Sequence, residues 1–142
     1  MKVSAVLASK GNRTFTIEPG ALVEAAVATL AANNIGAVIV VAGGGLPTGM
    51  LSERDIIRKL ASDPSTLERT VAEVMTFPVI CGSPDDDVES VLRTMTAERF
   101  RHLPVVEGGE IVGMVTIGDL VKAQLAELRG VAANLETRLL ES

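Results

Sequence analysis

The sequence predicts an α/β (α+β) fold: two β-α-β-β-α repeats packed sheet to sheet about a pseudo-twofold axis, followed by a C-terminal helix extension. Three observations lead there. The chain is self-similar at one large offset, since a shift of 65 residues lays Pro19 on Pro84, Glu24 on Glu89, Thr29 on Thr94 and Gly43-Gly44 on Gly108-Gly109. Within each copy, β-branched runs alternate with segments whose apolar residues recur every three or four positions. Finally, 47% of the 142 residues are apolar but only 2% are aromatic, so the core must be built from Val, Leu, Ile, Ala and Met. The expected boundaries are 1–62 for the first repeat, 63–70 for a linker, 71–125 for the second repeat and 126–142 for the extension.

Each copy opens on a short apolar stretch, residues 14–17 and 79–81, and a proline follows. Leu22, Ala26, Val27 and Leu30 then define the apolar face of one helix, and Val88, Val91, Leu92 and Met95 the face of its counterpart. Asp85, Asp86 and Asp87 precede the second of these, where carboxylates meet the positive end of the helix dipole. Two strands flank Gly43-Gly44-Gly45 in one copy and Gly108-Gly109 in the other, a hairpin pattern. The offset drops to 64 beyond these turns, laying Gly49-Met50-Leu51-Ser52 on Gly113-Met114-Val115-Thr116 and Asp55 on Asp119. Upstream, Val3, Val6 and Leu7 match Val71, Val74 and Met75 at an offset of 68. The run Ser62-Asp63-Pro64-Ser65 breaks the chain between copies. One copy alone is too small to close a core, so the two must stack, which creates a pair of related clefts.

Composition excludes several classes of function. A net charge of −5 with no Trp or Tyr disfavours duplex DNA and base stacking on single strands. One cysteine and one histidine, Cys81 and His102, leave no intramolecular disulfide and no CxxC or multi-histidine metal site. The apolar runs are too short for a signal peptide or a membrane span. The expectation is a cytoplasmic protein with no membrane or nucleic-acid partner.

The sharpest motif is Gly-apolar-apolar-[Ser/Thr]-x-x-Asp, present as residues 49–55 and 113–119. A hydroxyl at the N-cap with an acid three residues on is a helix-starting cap. The same arrangement puts a strand end at a helix N-terminus, a natural anion site, with a carboxylate able to accept from two sugar hydroxyls. Both roles are compatible, and repetition at equivalent places in the two copies puts the ligand reading level with the capping one. Arg99, Arg101 and His102 precede a strand and offer donors to phosphate oxygens, although a solvated helix end would also use arginine. The matching place in the first copy holds Gly36 and Ala37, so the two clefts are chemically unequal.

On these residues the chain resembles paired cystathionine-β-synthase (CBS) domains, the Bateman module, and in particular small CBS-pair proteins that bind AMP, ATP or NAD(H). The resemblance implies that Asp55 and Asp119 hold ribose hydroxyls and that Ser52 and Thr116 lie near the α-phosphate. It further implies that the backbone around Thr14 and Thr16, and around Val79, Ile80 and Cys81, frames adenine. Arg101 and His102 match the basic pair directed at phosphates, Lys10 and Arg54 are further candidates, and Ala37 would line the adenine pocket by shape. The implied function is a non-catalytic regulatory module reporting energy or redox state through a change of conformation or assembly. The alternative is a structural or dimerisation module with empty clefts that contacts a partner enzyme or transporter.

Other features read as structural. The triple glycine lacks the following GK[ST] of a phosphate loop, and the three aspartates lack further oxygen ligands for a cation. No nucleophile stands on a strained elbow, so no triad is expected and no enzyme activity. Cys81 is expected to be inert packing within a short strand. From Val121, the residues Leu125, Leu128, Ala132, Leu135 and Leu139 follow 4-3-4-3-4 spacing, a heptad seam that fits a homodimer or a helix folded back on its own module.

Overall fold

The computed structural model describes residues 1–141. The first repeat runs β1 (Thr16–Ile17), α2 (Val23–Asn33), β2 (Ala37–Val41), β3 (Pro47–Ser52) and α3 (Glu53–Ser62), preceded by α1 (Val3–Lys10). The second runs α4 (Val71–Val74), α5 (Val88–Glu98), β4 (His102–Glu107), β5 (Glu110–Thr116) and α6 (Ile117–Glu141), with a 3-10 turn at Thr66–Glu68 before it. In the first sheet the strand order is β1-β2-β3; the second sheet contains β4 and β5.

The two hairpins are superimposable in register. Ala37 faces Ser52, Val38 faces Leu51 and Val40 faces Gly49; His102 faces Thr116, Leu103 faces Val115 and Val105 faces Gly113. Both carry a register shift at the same place, after Val40 and after Val105. The drop in sequence offset falls in the turn, where Gly43 and Gly44, like Gly108 and Gly109, adopt positive φ. At the two-residue turn of the second hairpin, paired positive φ matches the twist of the strands and is cheap only for glycine; the first turn is longer, spanning residues 42–46.

Alternation along β2 explains why all five of its residues are buried. Val38 and Val40 face α2 and α3 with Leu51 and Ile56. Ala37, Ile39 and Val41, with Met50, face the other way and meet Ile111 and Met114 of the second sheet. A strand covered on both faces reads as a continuous apolar run. The second group is the seam between the sheets, and the expected sheet-to-sheet packing is realised there.

Two features depart from the sequence reading. Residues 79–81 form no strand, and Cys81 is exposed rather than packed inside one. Pro104 stands where Ile39 of the first repeat donates to Phe15 O, and it has no N–H to give, so Gly82 bridges β4 opposite Val105 in the register that Ile17 uses against Val40. A side chain in place of that glycine would force Leu103 to move, because a Cβ at Gly82 would stand 2.5 Å from Leu103 Cδ2.

The second departure is a pair of helices, α1 and α4, each of which packs on the other repeat. Val3, Val6 and Leu7 of α1 join Val88, Met95, Leu103, Val115 and Leu120 in the core of the second repeat. Val71 of α4 joins the core of the first repeat, with Val74 and Met75 against it. Backbone bonds fix the exchange: Val3 N–H donates to Asp86 O and Val88 N–H to Met1 O, while Val71 N–H donates to Ala21 O and Val23 N–H to Arg69 O.

Candidate functional site

Exchange of the leading helices builds each cleft from both halves of the chain. In the first, Ser52 caps α3 and Asp55 closes a reciprocal box: Asp55 N–H donates to Ser52 Oγ (3.2 Å), and Ser52 N–H and Oγ both donate to Asp55 Oδ2 (3.0 Å each). The other oxygen, Oδ1, accepts from Thr76 Oγ1 at 3.0 Å. Thr76 is delivered by α4 and held by two backbone bonds to Met50. That approach needs Gly49, where a Cβ would lie 2.5 Å from Met75 Sδ.

The second cleft repeats the plan with a different partner. Thr116 N–H donates to Asp119 Oδ2 (2.9 Å) and Asp119 N–H to Thr116 Oγ1 (3.1 Å). Lys10, from the end of α1, donates to the same Oδ2 at 2.5 Å and to Met114 O at 2.8 Å. Gly113 gives α1 room to approach, since a Cβ there would stand 2.6 Å from Leu7 Cδ2. Burial by itself would raise the Asp119 carboxyl; the Lys10 ammonium and Thr116 outweigh it and hold it below the usual carboxylate range. In both clefts the cap uses one carboxylate oxygen, Oδ2, and leaves Oδ1 outside the cap.

His102 lies between the two. Its Nε2 comes within 3.5 Å of the point where a Gly36 Cβ would sit, and Glu53 Oε1 within 3.2 Å of that same point. Burial first, then the charges of Lys10 and Arg101, keep His102 below its ordinary pKa against the opposing pull of Asp119 and Asp55. It is therefore neutral at pH 7.

The remaining expected residues are distributed unevenly. Ala37 is fully buried in the seam between the sheets, and Val79 packs against that seam. Thr16 pairs in β1 with Ile39, and Thr14 is half-buried just before it. Arg101 is exposed beside the start of α6, its carbonyl accepting from Ile117 N–H. Arg54 is exposed on the first turn of α3, and the hydrogen bonds of Asp55 go to Ser52 and Thr76 instead. Ile80 and Cys81 line a separate cavity of about 450 Å³ with Asp86, Ser90 and Phe100. Sequence reasoning missed Thr76 and Glu53. The match of Val71 to Val3 was the available signal for Thr76, since it places the residues after α4 where those after α1 stand.

Among the described residues, no group of three or more His, Cys, Asp or Glu side chains is placed to hold a metal ion. No described helix is long and apolar enough to cross a membrane.

A pair of half-domains exchanging their leading helices, with a capped Ser/Thr-x-x-Asp motif at the mouth of each cleft, defines a two-repeat module. The CBS domain family model matches residues 10–62 and 71–126, and the chain belongs to that family as a tandem CBS pair. CBS pairs are regulatory rather than catalytic modules. The CBS domain-containing protein YhcV of Bacillus subtilis is 30% identical over 124 residues, covering 87% of this chain and 88% of that protein. The crystal structure of the CBS-domain protein ATU1752 from Agrobacterium tumefaciens superimposes with a TM-score of 0.83 at 34% identity, covering 87% of this chain and 99% of that one. The CBS pair of protein MJ0100, solved with 5-methylthioadenosine and S-adenosyl-L-methionine, superimposes with a TM-score of 0.79 at 25% identity, covering 89% and 98%.

Proposed function

We propose that this CBS pair binds an adenosine-bearing ligand (AMP, ATP or NAD(H) being the candidates with phosphate) in the clefts between its repeats and signals occupancy through its shape or assembly. The observation that carries the reading is the doubled carboxylate. Asp55 and Asp119 sit at equivalent helix starts, each reached by a group from the opposite repeat: Thr76 in one cleft, Lys10 in the other. A ribose diol would replace those partners and so pull on α4 or α1, which gives binding a mechanical consequence within the fold. The methylthioadenosine and S-adenosylmethionine in the MJ0100 structure support the adenosyl part.

Assembly as a homodimer belongs to the same reading. On α6, Leu125, Leu128 and Leu135 are 47%, 64% and 54% exposed along the heptad seam. A solvent-facing apolar row on a helix is the usual mark of a partner helix. A dimer would also give the module a way to transmit its state to a regulated enzyme or transporter.

Isothermal titration of ligand-stripped protein with AMP, ATP, NAD and NADH tests this directly. The expected result is a dissociation constant in the micromolar range for at least one, about −8 kcal/mol. Silence across all four, from folded and nucleotide-free protein, would leave the interaction-module alternative standing.

A further inference from the structure

The register of the two hairpins allows the clefts to be compared residue by residue. Ala37 opens β2 opposite Ser52, as His102 opens β4 opposite Thr116. Glu53 N–H donates to Gly36 O, as Ile117 N–H donates to Arg101 O. Gly36, Ala37 and Glu53 thus hold in the first repeat the places of Arg101, His102 and Ile117 in the second. All three differences have the same electrostatic sign: the second cleft gains an arginine and a histidine and lacks an acid that the first one has. Lys10 on Asp119 adds a further cation, where the first cleft has the neutral Thr76 on Asp55.

Gly36 also matters by its surroundings. The point where its Cβ would sit lies 3.2 Å from Glu53 Oε1 and 3.5 Å from His102 Nε2, so the first repeat presents an acid where the second presents Arg101. The ring of His102 reaches that point from the second repeat and supplies the one imidazole available to the pair.

We infer that the two clefts select ligands by charge: the Asp119 cleft takes one phosphate-bearing adenosyl ligand, recognised by His102, Arg101 and Lys10, and the Asp55 cleft takes an adenosyl ligand without phosphate. This rests on the adenosyl reading above. A phosphate dianion beside Glu53 and Asp55 would be repelled, whereas a neutral or cationic nucleoside would not. Beside Lys10 and Arg101 the same dianion favours the protonated imidazole. The charged groups that act on His102 are Lys10 from α1, Asp55 from α3, Arg101 before β4 and Asp119 from α6, with the Glu53 carboxylate nearby. Phosphate binding therefore draws a proton onto an imidazole that is neutral in the free protein. Affinity for the phosphate-bearing ligand falls as pH rises through the pKa of His102 in the complex.

The test is isothermal titration of ligand-stripped protein with AMP and with adenosine at pH 7.5, in two buffers of different ionisation heat. AMP is expected to bind once per chain with uptake of up to about one proton, and adenosine to bind AMP-saturated protein with no uptake. In H102Q the uptake should vanish and AMP affinity should fall at least tenfold, toward that of adenosine. Two equivalent AMP sites, uptake that persists in H102Q, or AMP binding with no uptake would each overturn the inference while leaving the adenosyl reading intact. No binding of either compound would overturn that reading, and the inference with it.

Discussion

Deleting residues 1–10 is expected to unfold the second repeat while the first keeps its protection. The reason is the exchanged helix. Val3, Val6 and Leu7 are 0%, 4% and 9% exposed, and every core neighbour they have lies between Val88 and Ala123. Each such side chain contributes about 1.5–3 kcal/mol by leaving water. Together they approach the roughly 5–15 kcal/mol that stabilises an ordinary domain. The deletion also removes the backbone bonds from Val3 to Asp86 and from Ser4 to Pro84. Hydrogen exchange locates the damage: amides of α5, β4 and β5 should lose protection, and those of α2, β2 and β3, covered by α4, should retain it. A milder variant, Leu7→Ala, should cost about 2–5 kcal/mol and shift the same amides. Loss confined to the first repeat would show that α1 is docked elsewhere.

The second large effect is on binding. Asp119→Asn should weaken an adenosyl ligand in its cleft by 100-fold or more, with little change in melting temperature. An ionised carboxylate accepting from ribose makes bonds worth about 1.5–3 kcal/mol each, and about 1.4 kcal/mol corresponds to tenfold. The amide of asparagine keeps one oxygen to accept from Thr116 N–H, so the cap on α6 survives. Lys10 loses its ionic partner, an exposed-side contribution that is small. Titration beside thermal melting separates the two roles of this residue. An affinity within threefold of wild type, in a protein that melts normally, would show that Asp119 is a cap and nothing more.

The local parts of this structure were legible in the sequence because local physics sets them. Paired glycines at Gly43-Gly44 and Gly108-Gly109 announce the turns, the unbroken apolar run of residues 37–41 announces a strand, and Ser52 with Asp55 announces a helix start. What escaped was long-range. Nothing in Val3, Val6 and Leu7 says which repeat they will cover; only the assembled core reveals that they cover the second. The same exchange hides the meeting of Thr76 with Asp55 and makes Lys10 the residue bonded to Asp119. The apolar character of Val79, Ile80 and Cys81 suggests a strand, but a strand also needs donors from its neighbour. Pro104 has none to give where Ile39 of the first repeat donates to Phe15 O. Charge asymmetry between the clefts was visible as Arg101-His102 against Gly36-Ala37; the opposing Glu53 emerged only when the register was known.

Amide chemical-shift mapping of the uniformly ¹⁵N-labelled protein during addition of AMP would test most directly whether the clefts between the repeats are the ligand sites. The account predicts shifts concentrated at Lys10, at Arg101 and His102 and from Thr116 to Asp119 with AMP, and at the start of α3 and along residues 76–79 when adenosine is then added. Shifts centred instead on the outer cavity lined by Asp86, Ser90 and Phe100, or no shifts at saturating ligand, would contradict it.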